Sequence, residues 1–186
     1  STTSLRDVFG DRLQENVLLA PYTSARIGGP ADALVTVKSA EELAETMIRV
    51  WEMRLPYTML GGGSNVLVSD RGVSGLVVLN RARAVRFVTG DPPKVWAEAG
   101  VMFSNLANRC ASHGLSGLEW AATIPGTIGG AVYGNAGAFG GDVAGNLIQA
   151  EILTSPRQRS QWPVGKLEYA YRTSVLKRGD FQSIVL

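Results

Sequence analysis

Residues 60–70 read LGGGSNVLVSD, with three consecutive glycines directly behind one apolar run and ahead of another. Three glycines in a row forgo side-chain packing and cost backbone entropy on ordering, so the position calls for a backbone without Cβ. The flanking sequence says what carries the loop. Residues 33–37 (ALVTV) read as a short buried strand. Ser39 and Glu42 have the S-x-x-E spacing of a capping box. Behind them Leu43, Met47, Ile48 and Trp51 recur at helical spacing, which predicts a helix over 40–54 ended by Pro56. Tyr57–Leu60 reads as a strand, residues 61–65 as a loop and 75–80 (GLVVLN) as another strand. The glycine loop therefore follows the second strand of a strand–helix–strand unit.

Working outward, residues 1–20 begin polar and continue as a short helix or turn (LRDVFGDRL). AVRFVTG and KVWAEAG read as antiparallel strands joined through Gly90-Asp91-Pro92-Pro93. Phe103, Leu106, Ala107 and Cys110 give a second helical face, with Gly114 as its stop. A strand is expected near 147–153 and a turn at Ser155-Pro156, and the closing FQSIVL reads as a strand. Domain boundaries are expected at 1–80 for a first lobe and 81–186 for a second.

At 186 residues, 45% hydrophobic and 18% charged, the composition is that of a globular chain rather than a disordered one. The net charge of +2 comes from scattered Lys and Arg, with no basic stripe for nucleic acid. No apolar run reaches the ~18 residues that span a bilayer. A single cysteine, Cys110, fits a reducing cytoplasm.

The glycine loop has two readings: a tight turn, or successive N–H groups turned toward one point as a cradle for an anion. Ser64 and Asn65 add uncharged donors. Neither the dinucleotide fingerprint nor the P-loop matches, since Val66 stands where a third glycine belongs and Gly165-Lys166 is followed by Leu167. A second stretch, TIPGTIGGAVYGNAGAFGGDVAG, interleaves glycines with Ile124, Ile128, Val132, Tyr133 and Phe139, which call for burial. Asp142 is the only charged side chain in residues 121–150. Two such loops suit a long ligand with a diphosphate at one end and a ring at the other. Conventional catalysts are sparse. His113 reads as a helix-end or surface residue and Cys110 as core, and no pair has zinc spacing. Chemistry without side-chain machinery points to a cofactor.

TSARIGGPA (23–31), LGGGSNVLVSD (60–70), GLSGLEWAATIPGTIGGAVYGNAGAFGGD (114–142) and YAYRTS (169–174) occur in that order. Together they resemble the UDP-N-acetylenolpyruvoylglucosamine reductase family. The resemblance implies an α+β fold, the two-lobed FAD-binding type shared with the vanillyl-alcohol oxidases. It implies that Gly61, Gly62, Gly63, Ser64 and Asn65 hold the diphosphate of a non-covalent FAD. It places Ile124, Pro125, Gly126, Thr127, Gly129, Gly130 and Ala131 along the flavin. Hydride would pass from NADPH through FAD to the enolpyruvyl double bond of the UDP-sugar, giving UDP-N-acetylmuramate for peptidoglycan. Arg172 matches the family's active-site arginine, suited to a substrate carboxylate and to enolate-like charge. Tyr171 would bind and pack beside it.

The chain departs from the family pattern in lacking the GS-x-F-K/R-N-P motif and the late glutamate of a C-terminal substrate domain. The expectation is that these residues are the FAD-binding part of a longer reductase. A stand-alone FAD-binding module is the alternative. A flavin oxidase of the related fold, often covalently flavinylated at His or Cys, is disfavoured by Ser64 after the glycines.

Overall fold

The computed structural model describes residues 5–179 and 181–186. The chain divides into two compact units, Ser1–Arg81 and Ala82–Leu186.

The first unit is built on a sheet of order β1-β2-β4-β3, with β1 Leu13–Leu18, β2 Pro30–Val37, β3 Tyr57–Leu60 and β4 Val73–Asn80. β1 runs antiparallel to β2, while β2 and β3 flank β4 in parallel. The central strand carries Leu76, Val77, Val78 and Leu79, all buried, the continuous apolar run expected of a parallel strand covered on both faces. On one face Leu34, Val77 and Leu79 cluster with Leu19, Ala31 and Leu60, beneath Tyr22 and Val68. The alternate residues Val35 and Val78 point the other way. Helix α2, Ala40–Glu52, lies against β2 with Leu43, Met47, Val50 and Trp51 buried.

The capping box forms with a shift. Ser39 Oγ accepts from the Glu42 N–H (3.1 Å), but the Glu42 carboxylate reaches the Lys38 N–H (2.8 Å), one residue before the cap. The helix stops before Pro56 acts. Arg54 takes φ 53°, with Arg54 N–H donating to Trp51 C=O and Leu55 N–H to Val50 C=O, a Schellman end made without glycine.

β1 corrects the reading of residues 1–20. The helix α1 is only Leu5–Phe9, and a strand follows it. Of β1 only Leu13 is buried, so there was no alternation to read. Residues 1–4 lie outside the described residues.

In the second unit, β5 Val85–Val88 and β6 Lys94–Ala97 form the expected antiparallel ribbon, and α3 Phe103–Ser112 ends at Gly114 (φ 70°). α3 serves two cores. Leu106 and Cys110 meet Val85, Phe87, Val95 and Ala97 of the ribbon. Phe103 and Ala107 join Val132, Ile152, Trp162, Leu167 and Leu176. The glycine-rich stretch is not one loop. It holds α4 Ile128–Gly134, the two-residue strands β7 Gly137–Ala138 and β8 Gly141–Asp142, and α5 Val143–Asn146. β9 Gln149–Thr154 is the middle of a sheet with the unforeseen β10 Gln158–Pro163 and with β11 Ser183–Val185, and α6 is Val175–Arg178. No helix of the described residues is long and apolar enough to cross a membrane.

Removing the Ser39 hydroxyl orphans the Glu42 N–H. Ser39→Ala should cost about 1 kcal/mol, read as a lower urea midpoint with an unchanged slope.

Candidate functional site

The glycine loop leaves the carboxyl end of β3, where Arg81 anchors it. The Arg81 N–H donates to Val37 C=O (2.7 Å), and its guanidinium donates to Gly61 C=O (2.7 Å) and Asn80 C=O (3.1 Å). The loop then turns against residues 22–24. Gly63 has φ 66°, its C=O accepts from the Ser24 N–H (3.0 Å), and a Cβ on it would sit on the Tyr22 carbonyl oxygen. Ser24 Oγ donates to Ser64 Oγ (3.2 Å). Carbonyls on this loop are engaged, whereas the N–H groups of Gly62, Gly63, Ser64 and Asn65 meet no acceptor among the described residues. Consecutive N–H groups without a protein acceptor, on a half-open glycine loop, are the kind of backbone from which an anion cradle can be made.

Residues 124–131 are built differently. Thr127 bridges to Met102 in antiparallel fashion, with Phe103 N–H donating to Gly126 C=O (3.0 Å) and Ile128 N–H to Val101 C=O (2.9 Å). Gly129 N–H donates to Ala99 C=O (2.8 Å), and a Cβ on Gly129 would lie 2.9 Å from Ala99 Cβ. Thr127 and Ala131 are buried, Ile124, Gly126 and Gly129 are half-buried, and Pro125 and Gly130 are exposed. Burial of the interleaved residues is only partial. Val132 is buried, but Tyr133 is 43% and Phe139 87% exposed.

The segment 169–174 is a tight turn closed by the Ala170–Thr173 bridge. Tyr171 is 90% exposed, and Arg172 at the tip has φ 57°. The Arg172 guanidinium donates to Gly137 C=O (3.1 Å) and lies 5.9 Å from the Tyr171 ring centre. Lys177 Nζ donates to Arg172 C=O (3.0 Å). Tyr169 Oη donates to Val132 C=O (2.7 Å), and Ser174 Oγ to Tyr133 C=O (2.6 Å). Burial, and to a lesser degree Asp142, pushes the Tyr169 phenol well above its ordinary value, so it stays a donor. The structure thus brings Tyr171 and Arg172 beside the segment that begins at α4.

Residues 31–156 match the family model described as an FAD binding domain. The chain belongs to the FAD-binding domain family. It is 42% identical to a UDP-N-acetylenolpyruvoylglucosamine reductase of Chloroflexus aggregans, over 89% of this chain and 56% of that protein. It is 46% identical to the reductase of Rubrobacter xylanophilus, over 85% of this chain and 52% of that protein. The solved UDP-N-acetylenolpyruvylglucosamine reductase of Thermus caldophilus superposes with a TM-score of 0.72 at 35% identity, covering 94% of this chain and 59% of the other. Cholesterol oxidase from Brevibacterium sterolicum shares the fold alone, at 15% identity and a TM-score of 0.66. The chain spans about half the length of the curated relatives it matches. The resemblance carried by the four motifs is borne out, and so are the FAD-binding fold and FAD as the cofactor.

Two features of this FAD-binding domain were out of reach of the motifs. Gly63 and Gly129 each have a packing reason inside the protein, since a Cβ would meet the Tyr22 carbonyl oxygen at the first and the Ala99 Cβ at the second. Asn135, which no motif singles out, is buried with both amide donors and its oxygen engaged, a role that no local pattern signals. His113 is the exposed C-cap of α3, stacked on Phe87 with centroids 3.9 Å apart, and Cys110 is buried with its thiol pushed up by burial. Neither belongs to a loop described above.

Gly63→Ala should destabilise the chain even without ligand, because the methyl meets the Tyr22 carbonyl and the residue needs positive φ. A loss of roughly 1–3 kcal/mol is expected in urea unfolding of the FAD-free protein.

Proposed function

We propose that this chain binds FAD non-covalently as the FAD-binding part of a reductase that converts UDP-N-acetylglucosamine enolpyruvate to UDP-N-acetylmuramate. The reading places it in peptidoglycan precursor synthesis in the cytoplasm, with NADPH as hydride donor and a small UDP-sugar as substrate. The observation that carries it is the run of unused N–H groups at Gly62, Gly63, Ser64 and Asn65, in a chain of the FAD-binding domain family. The similarity to UDP-N-acetylenolpyruvoylglucosamine reductases supports the substrate.

The residues fit the cofactor. A flavin diphosphate needs converging donors, and the loop offers them together with Ser64, without a lysine. Residues 124–131 carry small or apolar side chains and no charge, and we assign Ile124, Pro125, Gly126, Thr127, Gly129, Gly130 and Ala131 to the flavin ring. FAD, when bound, supplies the acceptance and delivery of hydride. The protein's own part lies at Arg172. Its guanidinium gives one donor to Gly137 C=O, and its remaining donors would be available to a carboxylate. There it would bind the enolpyruvyl carboxylate and meet the negative charge that grows as the double bond is reduced. Tyr171, exposed beside it, offers a hydroxyl and a ring face to the sugar nucleotide.

The purified chain should carry one FAD that leaves intact on heat denaturation, read from absorbance before and after filtration. A colourless protein that cannot be reconstituted with FAD overturns the reading. Gly62→Val should raise the FAD dissociation constant far more than it lowers the melting temperature of the FAD-free protein. At a ligand excess of a hundredfold over Kd, losing the bound state alone removes roughly 2.7 kcal/mol of stabilisation. In the full-length protein Arg172→Ala should lower kcat by on the order of 10²–10³. A loss within twofold would return Arg172 to the role of an exposed surface cation.

A further inference from the structure

Asn135 closes α4 in the left-handed region, with φ 48° and ψ 61°, and is 6% exposed. Its amide nitrogen donates to Asp142 Oδ2 (3.2 Å) and to Ala170 C=O (3.1 Å). Its Oδ1 accepts from the Ala144 N–H (3.0 Å). The partners fix the orientation of the amide. A carboxylate and a carbonyl only accept, and a backbone N–H only donates, so the flipped amide would lose every bond. Aspartate, with the same shape, has no donor for either acceptor.

These bonds join three segments that are distant in sequence. Asp142 stands at the N-terminus of α5, where its Oδ1 accepts from the Gly145 N–H (3.0 Å). Ala144 lies in α5. Ala170 is the first residue of the bridge that closes the turn holding Tyr171 and Arg172. The other side-chain bonds to this segment come from Tyr169 and Ser174 at its ends and from Lys177 Nζ, which donates to Arg172 C=O (3.0 Å). Asn135 alone of these reaches the residue next to the tip, and Arg172 in turn donates to Gly137, two residues beyond Asn135.

We infer that Asn135 is a positioning residue: it fixes the Tyr171-Arg172 tip against the segment 124–142, so that the Arg172 guanidinium is held ready for the substrate carboxylate. The inference rests on the reading of Arg172 given above. A guanidinium on an exposed tip with positive φ gains affinity for a carboxylate only if its backbone is already held, because ordering it on binding would cost conformational entropy. Asn135 supplies that order from a buried position, where neutral amide bonds to a carboxylate and a carbonyl are strongest.

The test is a double-mutant cycle in the full-length FAD-loaded protein, with Asn135→Gly, Arg172→Ala and their combination. Glycine keeps the positive φ and removes only the side-chain bonds. UDP-N-acetylglucosamine enolpyruvate is titrated against each under anaerobic conditions without NADPH, and binding is read from the change in flavin absorbance. Asn135→Gly should weaken the sugar by about tenfold in the parent and by less than about twofold when Arg172→Ala is already in place. An equal loss in both backgrounds means that Asn135 acts on the fold at large, and overturns the inference. If Arg172→Ala alone leaves the affinity unchanged, the functional reading of Arg172 falls, and the inference with it. Should Asn135→Gly fail to fold, Asn135→Asp carries the same cycle: it keeps the acceptor for Ala144, loses both donors and sets a second carboxylate against Asp142, and the same comparison of the two Arg172 backgrounds decides.

Discussion

The parallel pairing of β3 with β4 constrains the first unit more than any other contact. The two strands are consecutive in the chain and adjacent in the sheet, so residues 61–72 must travel from the carboxyl end of β3 back to the amino end of β4. Such returns are usually helical, because a helix satisfies its own backbone. Here the return has no helix and lies over the strands beside residues 19–29. Gly29 N–H donates to Ser69 C=O (2.9 Å), and Gly63 C=O accepts from Ser24 N–H. A backbone stacked this closely on another tolerates no Cβ at Gly63. The N–H groups of Gly62, Gly63, Ser64 and Asn65 meet no acceptor among the described residues. Glycine thus does two things in one place: it lets the crossover pack, and it leaves backbone N–H groups without a protein acceptor.

The second unit solves a different difficulty, that of ordering a polar turn on a segment almost free of charge. Residues 121–150 hold only Asp142 as a charged side chain. Order there comes from neutral donors aimed at carbonyls: Tyr169 at Val132, Ser174 at Tyr133 and Asn135 at Ala170. Each is buried or half-buried, where a satisfied hydrogen bond counts for most and an orphaned one costs most. A surface built in this way can meet a flat aromatic cofactor without a competing charge nearby. Two cations stand at its edge, Arg172, which donates to Gly137 C=O, and Lys177, which donates to Arg172 C=O.

What could be read in the sequence was whatever depended on near neighbours in the chain. The helix α2 followed from Ser39, Glu42 and the apolar spacing, and α3 from Phe103, Leu106, Ala107 and Cys110, because helical faces are fixed by residues three and four apart. β3 was exact, and the β5–β6 ribbon followed from its Gly-Asp-Pro-Pro turn. β1 and β10 were missed, since an edge strand with few buried positions has no alternation to see. The motifs identified the family because four ordered stretches constrain far more than one glycine loop.

The sequence by itself determined, through its four ordered motifs, that FAD binding was the theme, and that glycine marked the places where a chain comes close. Tertiary structure decided what came close. At Gly63 it is the Tyr22 backbone and at Gly129 it is Ala99, each from a segment tens of residues away. It also turned Asn135 from one polar residue among glycines into the junction of α4, α5 and the arginine turn. Close approach and hydrogen-bond convergence depend on where distant segments lie in space, and a local pattern of residue types carries only the permission for them.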